Sequence, residues 1–226
     1  MNYTIIVLGV LLLIVIYFLY TVLATRGQVI STQTNLNASN SLISYSTLTN
    51  PSSSRFSFGV WVYAETLKST GNTDIFKVED ATGRTFFDLF VDEYPTLNYS
   101  ILTSSGIQTN QFMTNFPLQK WVYLIVSVDN TVVDLYLDGK LIRSQQLDTG
   151  PITTDNSFNV RYGVCGSECR VYLTNFERIS NPMDPSTAWN KYMKGNGHGY
   201  LSNLSSYSAS VSISKDNVGV SSFTLF

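Results

Sequence analysis

From Ile5 to Leu23 the chain reads IIVLGVLLLIVIYFLYTVL, with no charged side chain in the run and Arg26 close behind it. Wound as an α-helix, ~19 residues cover roughly 28 Å, the thickness of the hydrocarbon core of a bilayer. A helix buried in a soluble core would carry a polar stripe, and this run has none. The expectation is a single-pass membrane anchor over residues 1–26, with Ile5, Leu12, Ile16 and Leu23 among its lipid-facing side chains. Tyr17, Tyr20 and Arg26 stand where interfacial anchors belong. A cleaved secretory signal ending near Val22-Leu23-Ala24 is the competing reading. Against it, Met1–Thr4 holds no basic residue and the apolar run is longer than a signal core. Arg26 alone does not settle the orientation.

About 200 residues remain after the anchor, enough for one domain with its own core. Only 13% of the chain is charged and the formal net charge is −2. With no Lys/Arg cluster, the chain lacks the concentrated basic surface that phosphate backbones require, which excludes nucleic acid as a partner. Ser, Thr and Asn take the polar positions and favour strands and turns. Residues 27–54 contain no acidic or basic side chain at all. They read either as a Ser/Thr/Asn-rich stalk or as edge strands, with Gln28–Gln33 and Leu42–Leu48 as the strand-like pieces.

From Arg55 the hydrophobic pattern has period two. Phe56, Phe58, Val60 and Val62 alternate with Ser57, Gly59, Trp61 and Tyr63, and Val122, Leu124, Val126 and Val128 alternate with Trp121, Tyr123, Ile125 and Ser127. Val132–Leu137 runs into Asp138-Gly139, a strong hairpin signal, and Lys140–Ser144 leaves it. Further strands are expected at 85–91, 97–103, 157–162, 170–176, 208–214 and 218–225. One short helix, Ser186–Lys194, follows Pro185 and stops at Gly195. Ten or more short strands between turn residues imply a jelly-roll β-sandwich.

FSFGVWVY at 56–63, WVYLIVSVD at 121–129, VDLYLDGK at 133–140, the strand at 171–176 and the 181–195 helical piece together resemble the laminin-G-like, concanavalin A-like jelly roll. The resemblance implies an all-β sandwich over residues 55–226, preceded by the anchor. The closing pieces, KYMKGNG at 191–197 and the hairpin around Ser214-Lys215-Asp216-Asn217, resemble laminin-G-type proteins of nucleocytoplasmic large DNA viruses. That second likeness implies a virion localisation. The chain would be a minor capsid component tying the internal viral membrane, or a host membrane during assembly, to capsid or other virion proteins.

The chemistry legible in the residues is sparse. His198 is the single histidine, so neither a histidine zinc site nor a Ser-His-Asp network can be assembled around a second one. Glycoside hydrolysis needs paired carboxylates, and the Glu-x-Asp-x-x-Glu string of laminarinase-like relatives does not occur. Asp88, Asp92 and Glu93 come nearest. No catalytic residue and no cofactor is expected. A Ca²⁺ site of the kind the resemblance implies would draw on Asp74, Asp80, Asp129 and Asp155, although no contiguous ligand loop marks them. Cys165 and Cys169 form either a short-range disulfide or two free thiols. Glycosylation sequons stand at Asn2, Asn37, Asn98 and Asn203. The expected partners are a lipid bilayer and virion proteins. The alternative is a membrane-displayed lectin-like module whose exposed aromatics, among Trp61, Tyr94 and Tyr99, stack on glycans.

Overall fold

The computed structural model describes residues 9–14, 16–17, 28–36, 41–162, 168–196, 210–215 and 218–224. Among the described residues fourteen strands run in chain order: β1 Gln28–Asn35, β2 Ser41–Ser44, β3 Arg55–Thr66, β4 Thr73–Asp80, β5 Thr85–Val91, β6 Leu97–Thr103, β7 Gly106–Met113, β8 Trp121–Asp129, β9 Val132–Leu137, β10 Lys140–Gln146, β11 Phe158–Tyr162, β12 Arg170–Ile179, β13 Ser210–Lys215 and β14 Val218–Thr224. The first twelve form two six-stranded antiparallel sheets, ordered β1-β12-β3-β8-β9-β10 and β2-β11-β4-β5-β6-β7. β13 and β14 pair with each other as a separate hairpin.

Period-two patterning makes the sandwich. Phe56, Phe58, Val60 and Val62 of β3 and Val122, Leu124, Val126 and Val128 of β8 all turn to the space between the sheets. Phe76 and Phe87 meet them from the facing sheet, with Phe58 ring centroids 4.9 and 6.2 Å away. Aromatic pairs at such distances add modestly to the burial of their area.

The opposite face of the first sheet is buried too. Trp61, Tyr123, Ile125 and Tyr136 form a second cluster with Met183 and Ala188. The cover is the helix Pro185–Met193, capped by Asp184, whose carboxylate accepts from Thr187 N at 3.0 Å, and closed by Gly195 at φ 73°. Lys191 clamps it to β12: Nζ lies 2.8 and 2.9 Å from the two oxygens of Glu177, which also accepts from the Tyr123 hydroxyl at 3.1 Å. Gly59 leaves the space for this clamp, since a Cβ there would stand 2.8 Å from the Tyr123 hydroxyl.

Residues 28–35 and 41–44, the part of 27–54 open between stalk and strand, supply one strand to each sheet, and Tyr45–Thr47 adds a 3-10 turn. β4 and β7 are strands that the pattern did not announce. β4 interleaves Asp74, Lys77 and Glu79 with its core residues, and β7, GIQTNQFM, is an edge strand that is mostly polar. Residues 9–14 and 16–17 are helical. The rest of the anchor reading, including Ile5 and Leu23, lies outside the described residues. No described helix is long and apolar enough to cross a membrane.

Register gives the sandwich two distinct ends. Gln28 at the start of β1 pairs with Arg178, and the neighbouring row runs from Ile179 through Ser57 to Ser127. The polypeptide therefore enters at the end where Arg55 pairs with Asp129. Thr66, Trp121 and the Asp138–Gly139 turn lie at the other end.

Candidate functional site

At that far end an open pocket of about 330 Å³ lies between the β9–β10 hairpin and the helix, lined by Leu137, Asp138, Lys140, Ile142, Trp189 and Tyr192. Its volume lies at the low end of the range for ligand pockets, and its lining mixes aromatic rings with a few charged groups. A ladder of rings leads out to it. Tyr123 stacks on Trp61 at 5.1 Å, Trp61 on Tyr192 at 5.6 Å, and Trp189 packs obliquely on Tyr192 at 5.6 Å. Trp189 stands at the open end and is 42% exposed. The buried rings thus hold an exposed one.

The turn beneath the pocket is tightly built. Asp138 exchanges bonds with Tyr123, accepting from its N–H at 2.9 Å and donating to its carbonyl at 2.8 Å. Gly139 follows at φ 76°, and a Cβ there would lie 3.0 Å from Trp189 Cα and 3.1 Å from Tyr192 Cβ. Gly139→Ala is therefore expected to cost about 1–3 kcal/mol and to shift the tryptophan fluorescence as the helix is pushed outward. Unfolding monitored by that fluorescence checks both effects. Lys140 is exposed and makes no ion pair among the described residues. The pocket lining thus brings together a ring face, a carboxylate with one oxygen engaged by Tyr123 N, and an ammonium without an ion pair among the described residues.

The aromatics named from sequence are placed differently. Trp61 and Tyr99 are buried and cannot meet a ligand; burial also pushes the Tyr99 hydroxyl up to about 12. Tyr94 is 75% exposed, at the tip of the β5–β6 turn. Trp189 escaped sequence reading because it sits in a short helix without strand periodicity. Its position two turns before Gly195, facing the Asp-Gly turn, emerges only from the fold.

The structure disperses the Ca²⁺ candidates. Asp129 pairs with Arg55 Nε at 2.8 Å, and Asp74 with Lys77. Asp80 accepts from the Thr82 hydroxyl and from the N–H groups of Arg84 and Thr82, which hold its carboxyl below the usual range. Asp155 is held low likewise, first by the Ser157 hydroxyl and then by its N–H. Among the described residues no three His, Cys, Asp or Glu side chains are placed to hold a metal ion. Asp92 serves the β5–β6 turn, accepting from Tyr94 N and Thr96 N at 2.9 Å and from Asn98 Nδ2 at 3.1 Å. The same Asn98 nitrogen reaches Thr96 O at 2.9 Å, so this sequon asparagine is engaged within the fold. Asn2, Asn37, Asn203 and His198 lie outside the described residues. Cys169 is buried and disulfide-bonded, and Cys165 lies outside the described residues.

Residues 36–170, more than half of the chain, match the family described as the concanavalin A-like lectin/glucanases superfamily. The chain belongs to this superfamily. No curated protein matches it. Among solved structures, this concanavalin A-like domain is similar to the ligand-binding domain of botulinum neurotoxin serotype D in complex with N-acetylneuraminic acid, with TM-score 0.59 and 13% identity over 74% of this chain and 43% of that one. The serotype G binding domain is similar too, with TM-score 0.57 and 12% identity over 72% of this chain and 42% of that one. At these identities the likeness is one of fold. The chain spans less than half of the length of either structure.

Proposed function

We propose that this concanavalin A-like chain is a non-catalytic, glycan-binding module displayed on a membrane by its N-terminal segment. The observation that carries the reading is the polarity of the domain. The chain enters at one end of the sandwich, and the pocket with the exposed Trp189 ring opens at the other. A tethered module in this arrangement presents its pocket away from the bilayer. The side chains of Val10–Ile14, Ile16 and Tyr17 support the tether, because all are 51–70% exposed and none is packed into the sandwich. An unpacked apolar helix needs another apolar phase.

A pyranose ring presents one apolar face, which suits Trp189, and a rim of hydroxyls, which suit Asp138 as acceptor and Lys140 as donor. Catalysis is absent from this reading because no carboxylate pair faces the pocket: of its lining residues only Asp138 is acidic. The virion-scaffold reading, with capsid proteins as partners, draws on the resemblance at 191–197 and at the C-terminal hairpin, and no geometry described above favours it.

The test is binding of the full-length chain, in detergent, to an array of immobilised glycans. Wild type is expected to retain a defined set of glycans, and Trp189→Ala to bind them about 10-fold or more weakly with an unchanged circular dichroism spectrum. Failure of wild type to bind any glycan, or equal binding by the variant, would overturn the proposal.

A further inference from the structure

The outer face of the β2-β11-β4-β5-β6-β7 sheet carries a row of directly opposed residues: Leu42, Arg161, Lys77, Asp88, Ser100 and Thr109. Asp74 reaches the same place from β4. Lys77 Nζ lies 3.0 Å from one oxygen of Asp74 and 3.3 Å from one oxygen of Asp88. Both aspartates are buried, at 8% and 7% exposure. The remaining oxygen of each, Oδ1, has no contact with solvent and no hydrogen-bond partner. Two buried acceptors without a donor are costly.

The surrounding charges do not balance. β4 contributes Asp74, Lys77 and Glu79, β5 contributes Asp88, and β11 contributes Arg161, whose Nη1 bonds Glu79 at 2.9 Å. β6 and β7 contribute no charged group, and their Ser100 and Thr109 hydroxyls bond each other at 2.8 Å. One lysine is thus shared by two carboxylates, and one negative charge is left over. A cavity of about 170 Å³ is lined by Asp88 together with Thr85, Ser100, Ile101, Leu102 and Ile107, and Asp88 is the one charged residue in that lining.

The missing partner is a donor that brings positive charge. A metal ion or an organic ammonium cannot touch an oxygen that has no accessible surface unless the sheet opens; a proton can. We propose that Asp74 and Asp88 form a proton-binding site that takes up one proton on acidification, removing the surplus negative charge buried between β4 and β5. The bound proton removes the surplus charge. Burial, and then the charge of Asp74, push the Asp88 carboxyl up to about 7 despite Lys77. Burial works against the charge on Lys77, yet Asp88 and Asp74 raise its affinity for its proton, so the ammonium stays in place.

The sign follows from linkage. With a native-state value above the ordinary 3.8, the folded chain holds a proton that the unfolded chain has released. The stabilisation is present on the acid side and is lost as pH rises through about 7. Asp80, Asp155 and Asp184 are held low instead, so their contributions are lost only below the ordinary carboxylate range. His198 would titrate inside the window, so the measurements use a His198→Gln background.

The experiment is thermal unfolding of the full-length chain from pH 8 to pH 5.5, together with the ¹³C carboxyl titration of Asp88 in the folded protein. Tm is expected to rise by roughly 4–8 °C over that interval, the rise is expected to vanish in Asp88→Asn, and the Asp88 carboxyl is expected to titrate near neutrality. An Asp88 midpoint near 4, or an undiminished pH slope in Asp88→Asn, overturns the proposal. The carboxyl titration needs no variant, so misfolding of Asp88→Asn leaves the test standing. Glycan binding at the far pocket has no part in either readout.

Discussion

Phe58→Ala is expected to destabilise the domain by about 3–5 kcal/mol, the range for deleting a fully buried ring from a close-packed core. Phe58 is buried at the centre of the sandwich and touches rings from both sheets: Phe56 at 5.5 Å, Phe76 at 4.9 Å, Phe176 at 6.0 Å and Phe87 at 6.2 Å. Four neighbours held by two sheets cannot all collapse into the void, so the cavity persists and its cost adds to the lost transfer energy. A domain of this size has on the order of 5–15 kcal/mol in total, so the variant should unfold at a much lower denaturant concentration with an unchanged m-value. A loss below about 1 kcal/mol would mean that the two sheets do not share this core.

Arg178→Ala is expected to cost a similar amount, about 3–5 kcal/mol, for a different reason. Arg178 lies on β12 and is buried, with its guanidinium 5.6 Å from the Tyr45 ring centroid and 5.7 Å from that of Phe56. Nη1 donates to Thr49 O at 2.7 Å and Nη2 to Asn50 O at 3.1 Å. One planar fork thus fastens the segment between β2 and β3 to the first sheet. Burial holds the guanidinium below its usual value, partly offset by Tyr45, whose own hydroxyl is pushed well up, chiefly by burial. Truncation strands two carbonyls and removes two cation–π contacts. Arg178→Lys restores charge without the fork and should recover only part of the loss. Equilibrium unfolding of both variants checks the order, and a lysine variant as stable as wild type would contradict it.

The strands with clean alternation were legible without coordinates. Residues 85–91 and 97–103 are strands at just those bounds, and Asp138-Gly139 is the hairpin turn its sequence promises. What the alternation concealed is burial on both faces. Trp61 and Tyr123 alternate with core residues as a solvent-facing row would, yet the Pro185–Met193 helix covers them. That cover comes from more than fifty residues downstream, a distance at which period and propensity carry no signal. β4 was hidden because its outward positions hold charges that ordinarily mark loops, and these charges are buried with one another. β7 was hidden because an edge strand is free to be polar.

The pocket was the least legible part. Its lining converges from a hairpin and a helix, and neither segment carries a ligand-binding motif. Asp138 and Gly139 were readable as a turn but not as the floor of a site, because the approach of Trp189 to Gly139 depends on where the helix lands.

The most direct measurement is ¹H–¹⁵N NMR of the indole and backbone amide groups of the full-length chain during titration with a glycan retained on the array. The chain has three tryptophans, so the readout is simple. The account predicts a saturable shift of the Trp189 indole with Trp61, buried beneath it, moving far less. An unmoved Trp189, with shifts confined to Ser100, Thr109 and their neighbours on the other sheet, would contradict the placement of the glycan site at the far end of the sandwich.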